Sequence, residues 1–293
     1  MKWKGGQRSD NVVDVRGSGR RGGFGGGGGG KLGLGGIAAV VVISLLLGKN
    51  PLEMLGLVSQ MSGGMTQPVQ QEGAPPPAND EAAEFVRVIL GETELVWSEI
   101  FQASGSQYEQ PKLILFSGGV DSACGSATSA SGPFYCPGDH QVYLDMSFFN
   151  DMKQRLGGGG DFAYAYVIAH EVGHHVQTLL GVSAKVNEAR RRGQNVQGDG
   201  GLLVRQELQA DCLAGVWANR SEKKLQWLET GDVEEAMNTA TAIGDDRLQK
   251  QSQGHVVPDA FSHGTSEQRV RWFRAGFESG DPNSCDTFKA GRL

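Results

Sequence analysis

Cysteine is scarce in this chain of 293 residues: four are present, at positions 124, 136, 212 and 285, and none belongs to a C-x-x-C pair. That spacing argues against a cysteine-based metal knuckle and suits disulfides formed in an oxidising compartment. Of three possible pairings, the favoured one joins Cys124 to Cys136 across a hairpin and Cys212 to Cys285, tying a helix to the C-terminal region. Long apolar runs are scarce too. Residues 32–48 are uncharged and rich in Ile, Val and Leu, and lie between Lys31 and Lys49. The run reaches the lower range of a membrane span and is too long for a core strand. No small-x-small cleavage site follows it, so the expectation is an uncleaved transmembrane signal anchor at 32–48.

Basic residues are in deficit over most of the chain. Seven Lys or Arg crowd into residues 1–31 against two Asp, and the remainder carries 20 basic against 31 acidic residues. An acidic body is a poor match for phosphate backbones, so no nucleic-acid partner is expected. Glycine dominates 1–31, which reads as a disordered basic tail, cytoplasmic by the positive-inside rule. Everything after Lys49 then lies in the periplasm or outside the cell, attached to the cell membrane by a single helix. Residues 49–78, rich in Pro, Gly and Gln, read as a linker. Order resumes near Asp80, an N-cap for an amphipathic helix using Phe85, Val88, Ile89, Leu95, Val96 and Ile100. Residues 79–293 suffice for one domain with its own core.

Within that domain the stretch His170-Glu171-Val172-Gly173-His174 has the form HExxH. Imidazoles at i and i+4 lie one above the other on a helix, close enough to share one zinc ion. Glu171, about 100° further round, can then act on the water that the zinc holds, as general base. Asp161 reads as the cap of a helix running through Phe162, Tyr166, Val167, Ile168 and Val172 to a stop at Gly181. So long an apolar stripe buries the helix, and two histidines and a carboxylate buried without partners cost several kcal/mol. A metal removes that difficulty.

Catalytic zinc takes three protein ligands, so the two histidines are an incomplete site. A metzincin continuation is excluded, because Gln177 and Leu180 occupy its Gly and His positions. A second helix is expected over 202–220, and it contains Glu207-Leu208-Gln209-Ala210-Asp211. Glu207 and Asp211, one turn apart, allow the first to bind zinc and the second to accept a hydrogen bond from a ligating imidazole. Glu188 competes for the ligand role but sits in a charged run with Arg190, Arg191 and Arg192.

HExxH followed by ExxxD is similar to the gluzincin, thermolysin-like peptidases. The resemblance implies Glu207 as third ligand and Asp211 as partner of His170. Residues 262–270, with His263 and Arg269, resemble the His-Pro-x-x-x-x-Arg element of small membrane-linked gluzincins, with Gly264 in place of Pro. His263 is thereby a candidate to stabilise the oxyanion, and Thr265 with Gln268 reads equally as a capping box. The basic glycine-rich start, the apolar segment, VIAHEVGHHVQ and ELQAD together resemble the bacterial "putative neutral zinc metallopeptidase" family along essentially the whole chain.

The implied fold is α+β: a zincin-like metallopeptidase domain, mainly helical with a small sheet and an edge strand, after one N-terminal transmembrane helix. The implied activity is membrane-anchored endopeptidase cleavage of peptide or protein substrates by one Zn2+ on His170, His174 and Glu207. The alternative is a catalytically inactive, zinc-stabilised, membrane-anchored binding or scaffold protein, which has no need of Glu171. Residues 113–116 and 141–145 read as strands, with 141–144 as the edge that pairs with substrate and 134–136 beside it. Asp232 with Glu235 opens a further helix.

Overall fold

The computed structural model describes residues 1–17, 73–156 and 159–293. One sheet has the strand order β1-β2-β6-β5, formed by β1 (Val12–Asp14), β2 (Lys112–Phe116), β6 (Gln141–Asp145) and β5 (Phe134–Cys136). Strands β3 (Gly119–Ser122) and β4 (Gly125–Thr128) make a separate hairpin. The first three strands of the larger sheet are parallel, with Leu113 opposite both Val12 and Val142, while β5 runs antiparallel with Phe134 opposite Tyr143. Side chains alternate across the sheet as the pleat requires. Leu113, Leu115, Val142 and Leu144 join the helical core, and Ile114, Phe116 and Tyr143 join a smaller cluster with Val120 of the hairpin.

The helices are α1 (Glu81–Ala103), α2 (Ser147–Asp151), α3 (Asp161–Leu179), α4 (Val182–Arg191), α5 (Leu202–Leu225), α6 (Asp232–Ala242), α7 (Asp245–Gln253) and α8 (Ser266–Ser279). Their ends follow local chemistry. Asp80 accepts the Ala83 amide at the start of α1, and Thr265 and Gln268 form a reciprocal capping box at the start of α8. Gly181, at φ 75°, takes the left-handed conformation that ends α3. The start of α3 departs from expectation: Gly160 is its N-cap, Asp161 lies in the first turn, and Glu235 of α6 accepts the Phe162 amide at 3.3 Å.

Glycines let the central helices approach backbone to backbone. A Cβ on Gly173 of α3 would stand 3.0 Å from the Ala210 carbonyl oxygen of α5. Where α5 crosses α8, a Cβ on Gly215 would meet Phe273 O at 2.1 Å, and one on Gly276 would meet Cys212 O at 1.9 Å. Both expected disulfides are formed, Cys124–Cys136 at the end of β5 and Cys212–Cys285 behind α5.

Two expectations are overturned. The body is helical with small sheets, and no helix among the described residues is long and apolar enough to cross a membrane, which removes the transmembrane part of the expected fold and the single-pass location. The segment assigned to the span, 32–48, lies outside the described residues, as does the linker up to 72. The physical reason lies in its flanks. Residue 12 on one side of that segment and residues 112–116 on the other belong to one sheet, and Asp14 also bridges to Ala74. A single pass would put those flanks on opposite faces of a bilayer. No tail of opposite sidedness exists at 1–17.

Residues 1–17 are held instead against α1. Glu92 accepts the Gln7 amide at 3.0 Å, and Glu94 accepts the Ser9 hydroxyl and the Asn11 amide group at 2.7 Å each. Burial pushes both carboxyls above their usual range. Trp3 packs edge-on against Phe85 at 5.4 Å. Gly91 makes room for this path, because a Cβ there would lie 2.4 Å from the Gln7 carbonyl oxygen. Gly91→Ala should therefore loosen β1 and lower stability by about 1–3 kcal/mol, the range for an overpacked contact. Thermal denaturation with amide exchange at residues 12–14 tests this, and unchanged protection of β1 would refute it.

Candidate metal centre

Helices α3 and α5 lie side by side, and their HExxH and ExxxD segments face each other across the Gly173–Ala210 contact. His170 Nε2 stands 3.2 Å from Glu207 Oε2, and His174 Nε2 stands 3.5 Å from the same oxygen. One donor atom from each of the three residues lies within 4.8 Å of the others. The remaining ring nitrogens are already engaged. His170 Nδ1 is 2.8 Å from Asp211 Oδ1, and His174 Nδ1 is 2.9 Å from the Gln177 side-chain oxygen. Each bond to an oxygen acceptor places a proton on Nδ1 and leaves Nε2 for the cluster. Two imidazole nitrogens and one carboxylate oxygen are the number and kind of ligand that a catalytic zinc ion uses, so the residues fit that metal.

The charges point the same way. Burial disfavours a charged imidazole at His170, yet Asp211 and Glu207 outweigh it and push the group up to about 10. Burial likewise opposes the charge on His174, and Glu207 raises it. Against its own burial, Glu207 is held well below the carboxylate range by His174 and His170. The cluster is thus a place where positive charge is stabilised inside the protein.

Behind it lies a saturated carboxylate. Asp211 has no exposure; its Oδ1 receives the Tyr166 hydroxyl at 2.6 Å, His170 Nδ1 at 2.8 Å and Arg269 Nη2 at 2.9 Å, while Oδ2 receives Arg269 Nε at 2.9 Å. Burial works against its ionisation, and Arg269 and His170 bring it down to about 2. Arg269 closes the element that begins at His263, so that element supplies this clamp from α8.

A cleft of about 400 Å³ opens over the cluster. Glu171 lines it beside His170, His174 and Glu207. His263 lines it as well, with its side chain half exposed and Nδ1 3.1 Å from Asp245 Oδ1. Asp245 was not singled out from the sequence. Its Oδ2 accepts the amides of Ser262 and His263 at 2.7 Å and of Gly264 at 3.2 Å, which fixes the loop that carries His263. The signal was present in an acidic residue opening a helix, but such residues are common. Phe134, Tyr135, Phe148, Ile243 and Leu248 make the cleft's apolar wall. A larger cavity of about 980 Å³ beside Trp3 and Phe85 holds none of the histidines.

Two expectations change at this site, the place of the strand at 141–144 and the part played by Tyr166, while Glu188 stays the charged surface residue it was expected to be. The strand at 141–144 is interior, between β2 and β5, and β5 is the sheet edge beside the cleft. Glu188 is exposed and pairs with Arg192, away from the cluster. Tyr166, read only as an apolar helix position, is a donor to Asp211.

Asp211→Asn should weaken zinc binding about 10–100-fold, the usual effect of losing a carboxylate behind a ligating histidine. Arg269→Met leaves that carboxylate buried without its guanidinium partner, and should lower stability by about 3–5 kcal/mol. Competition titration with a zinc chelator and chemical denaturation measure the two; a variant Arg269→Met as stable as the parent would contradict the clamp.

Residues 1–288 match the model of the family described as "Putative neutral zinc metallopeptidase". The chain is 50% identical over 292 residues to Uncharacterized protein YpfJ of Escherichia coli (strain K12), covering 98% of this chain and 99% of that one. It is 43% identical over 210 residues to Uncharacterized protein Mb2605 of Mycobacterium bovis, covering 68% of each chain. No solved structure matches it. A family match that runs from the first residue to 288 shows that this chain belongs to the putative neutral zinc metallopeptidases.

Proposed function

We propose that this protein is a zinc-dependent endopeptidase that cleaves peptide bonds in the cleft above α3 and α5, using one zinc ion held by His170, His174 and Glu207. The observation that supports it most is the convergence of those three side chains with Glu171 beside them, lining an open cleft. A purely structural metal site has no use for a carboxylate in that position.

An extended peptide would lie along β5, whose outer edge has no strand partner among the described residues, by adding its own main-chain hydrogen bonds. Bound zinc supplies Lewis acidity and makes a water molecule acidic enough to act as nucleophile near neutral pH. Glu171 takes the proton from the attacking water and delivers it to the departing amide nitrogen as the C–N bond breaks. His263 donates a hydrogen bond to the carbonyl oxygen as it becomes an oxyanion, in the orientation that Asp245 sets. The apolar wall beside these groups excludes water from the reacting bond.

Glu171→Gln should keep one zinc per chain and lose peptide cleavage by about 10²–10⁴-fold, the range for a missing general base. His263→Ala should also keep the zinc and lower kcat by about 10²–10³-fold, as removal of an oxyanion donor does. Elemental analysis beside cleavage of a mixed peptide library reads both. A Glu171→Gln protein with full activity would end the general-base assignment.

A further inference from the structure

Each of the three residues of β5 is held by a different interaction. Cys136 is bonded to Cys124. Phe134 stacks on Tyr143 of β6, with ring centres 4.7 Å apart and planes 6° apart. Tyr135 is tied to the helix that carries the metal-site histidines: its hydroxyl lies 3.2 Å from Nδ1 of His175, and Thr178 on the same helix reaches that hydroxyl too.

His175 follows His174 directly and takes no part in the metal cluster. Successive residues on a helix point about 100° apart, so one imidazole faces Glu207 while the next faces the sheet. His175 is fully buried, and Nε2 sits 2.6 Å from the Glu109 carbonyl oxygen. A carbonyl only accepts, so Nε2 carries the proton, and Nδ1 of the neutral ring accepts from the Tyr135 hydroxyl. The rings of Tyr108, Tyr135 and His140 pack edge-on around it at 5.7, 5.5 and 5.8 Å. Orientation and tautomer are both fixed.

We propose that His175 is a positioning residue for substrate: through Tyr135 it holds β5 at a set height above α3, and so sets where a peptide paired with β5 lies relative to the metal cluster. The inference rests on the peptidase reading of the cleft. Its physical motive is that a displacement of about 1 Å between a bound substrate and the catalytic groups costs about 10²-fold in rate. A three-residue edge strand paired on one side needs a second support to hold that tolerance, and the adjacent histidine supplies it from the helix that bears the ligands.

Two variants separate the bonds. Tyr135→Phe removes only the hydroxyl. His175→Leu keeps an apolar side chain in the buried site and loses the acceptor for Tyr135, together with the donor to the Glu109 carbonyl. Both should retain zinc, show faster amide exchange at residues 134–136, and lower kcat for an extended peptide by about 10–10²-fold, as misplacement of a bound substrate does. The effects of the two changes should combine to less than their sum in the double variant, because they share the His175–Tyr135 bond. Unchanged exchange and unchanged kcat in Tyr135→Phe, which has no reason to misfold, would overturn the proposal. Should the wild-type protein cleave no peptide, the peptidase reading falls by itself; faster exchange at 134–136 in both variants would then still support the clamp, and unchanged exchange would overturn it.

Discussion

Asp211 is an ionised carboxylate with no exposure to water, and the helices around it are arranged to offset that. A buried charge stripped of partners costs several kcal/mol, so the fold must bring it a full set of donors. Tyr166 and His170 come from α3 and Arg269 from α8, while Asp211 itself sits on α5. One carboxylate therefore ties three helices at a point. Because His170 is one of its donors, the ring that faces Glu207 inherits the rigidity of the whole junction. The glycine contacts at 173, 215 and 276 are the complementary constraint, since without them the helix backbones would stand too far apart for these side chains to meet.

The two ends of the sheet have opposite roles. On one side β1 extends the sheet and Ala74 bridges to it, so that edge is covered. On the other, the outer edge of β5 has no strand partner among the described residues and lies beside the cleft, with its residues fixed by a disulfide, a ring stack and a bond to His175. The metal helix lies between these features and uses three faces at once. His170 and His174 face Glu207, Phe162, Val172 and Val176 face the core, and His175 faces the sheet.

The legible part of the site was the part set by spacing along a single helix. HExxH and ExxxD each put their groups one turn apart, and a turn is a local quantity. The caps at Asp80 and Thr265 and the stop at Gly181 were legible for the same reason. Asp161 misled because its competitor for the Phe162 amide, Glu235, comes from 73 residues away. The strand at 141–145 was legible as a strand but not as an interior one, since alternation reports a pleat and not a neighbour. Residues 1–17 lack the apolar content for a core of their own; Trp3, Val12 and Val15 are buried only because α1 and β2 are there to receive them. The apolar run at 32–48 suggested one crossing of a membrane, and the shared sheet of its flanks overturned that reading.

By itself, then, the sequence determined the chemistry available: two imidazoles and a carboxylate with metal-ligand spacing, a glutamate between the imidazoles, and four cysteines placed for two bridges. The tertiary structure alone decided which groups support that chemistry, namely Arg269 and Tyr166 on Asp211, Asp245 on His263, and Tyr135 on His175. It also decided which strand is the open edge and that the N-terminal residues complete the sheet. The division has one cause. Periodicity within an element is written in consecutive residues, whereas the pairing of buried charges, hydroxyls and strand edges depends on distances that exist only once separate elements have packed.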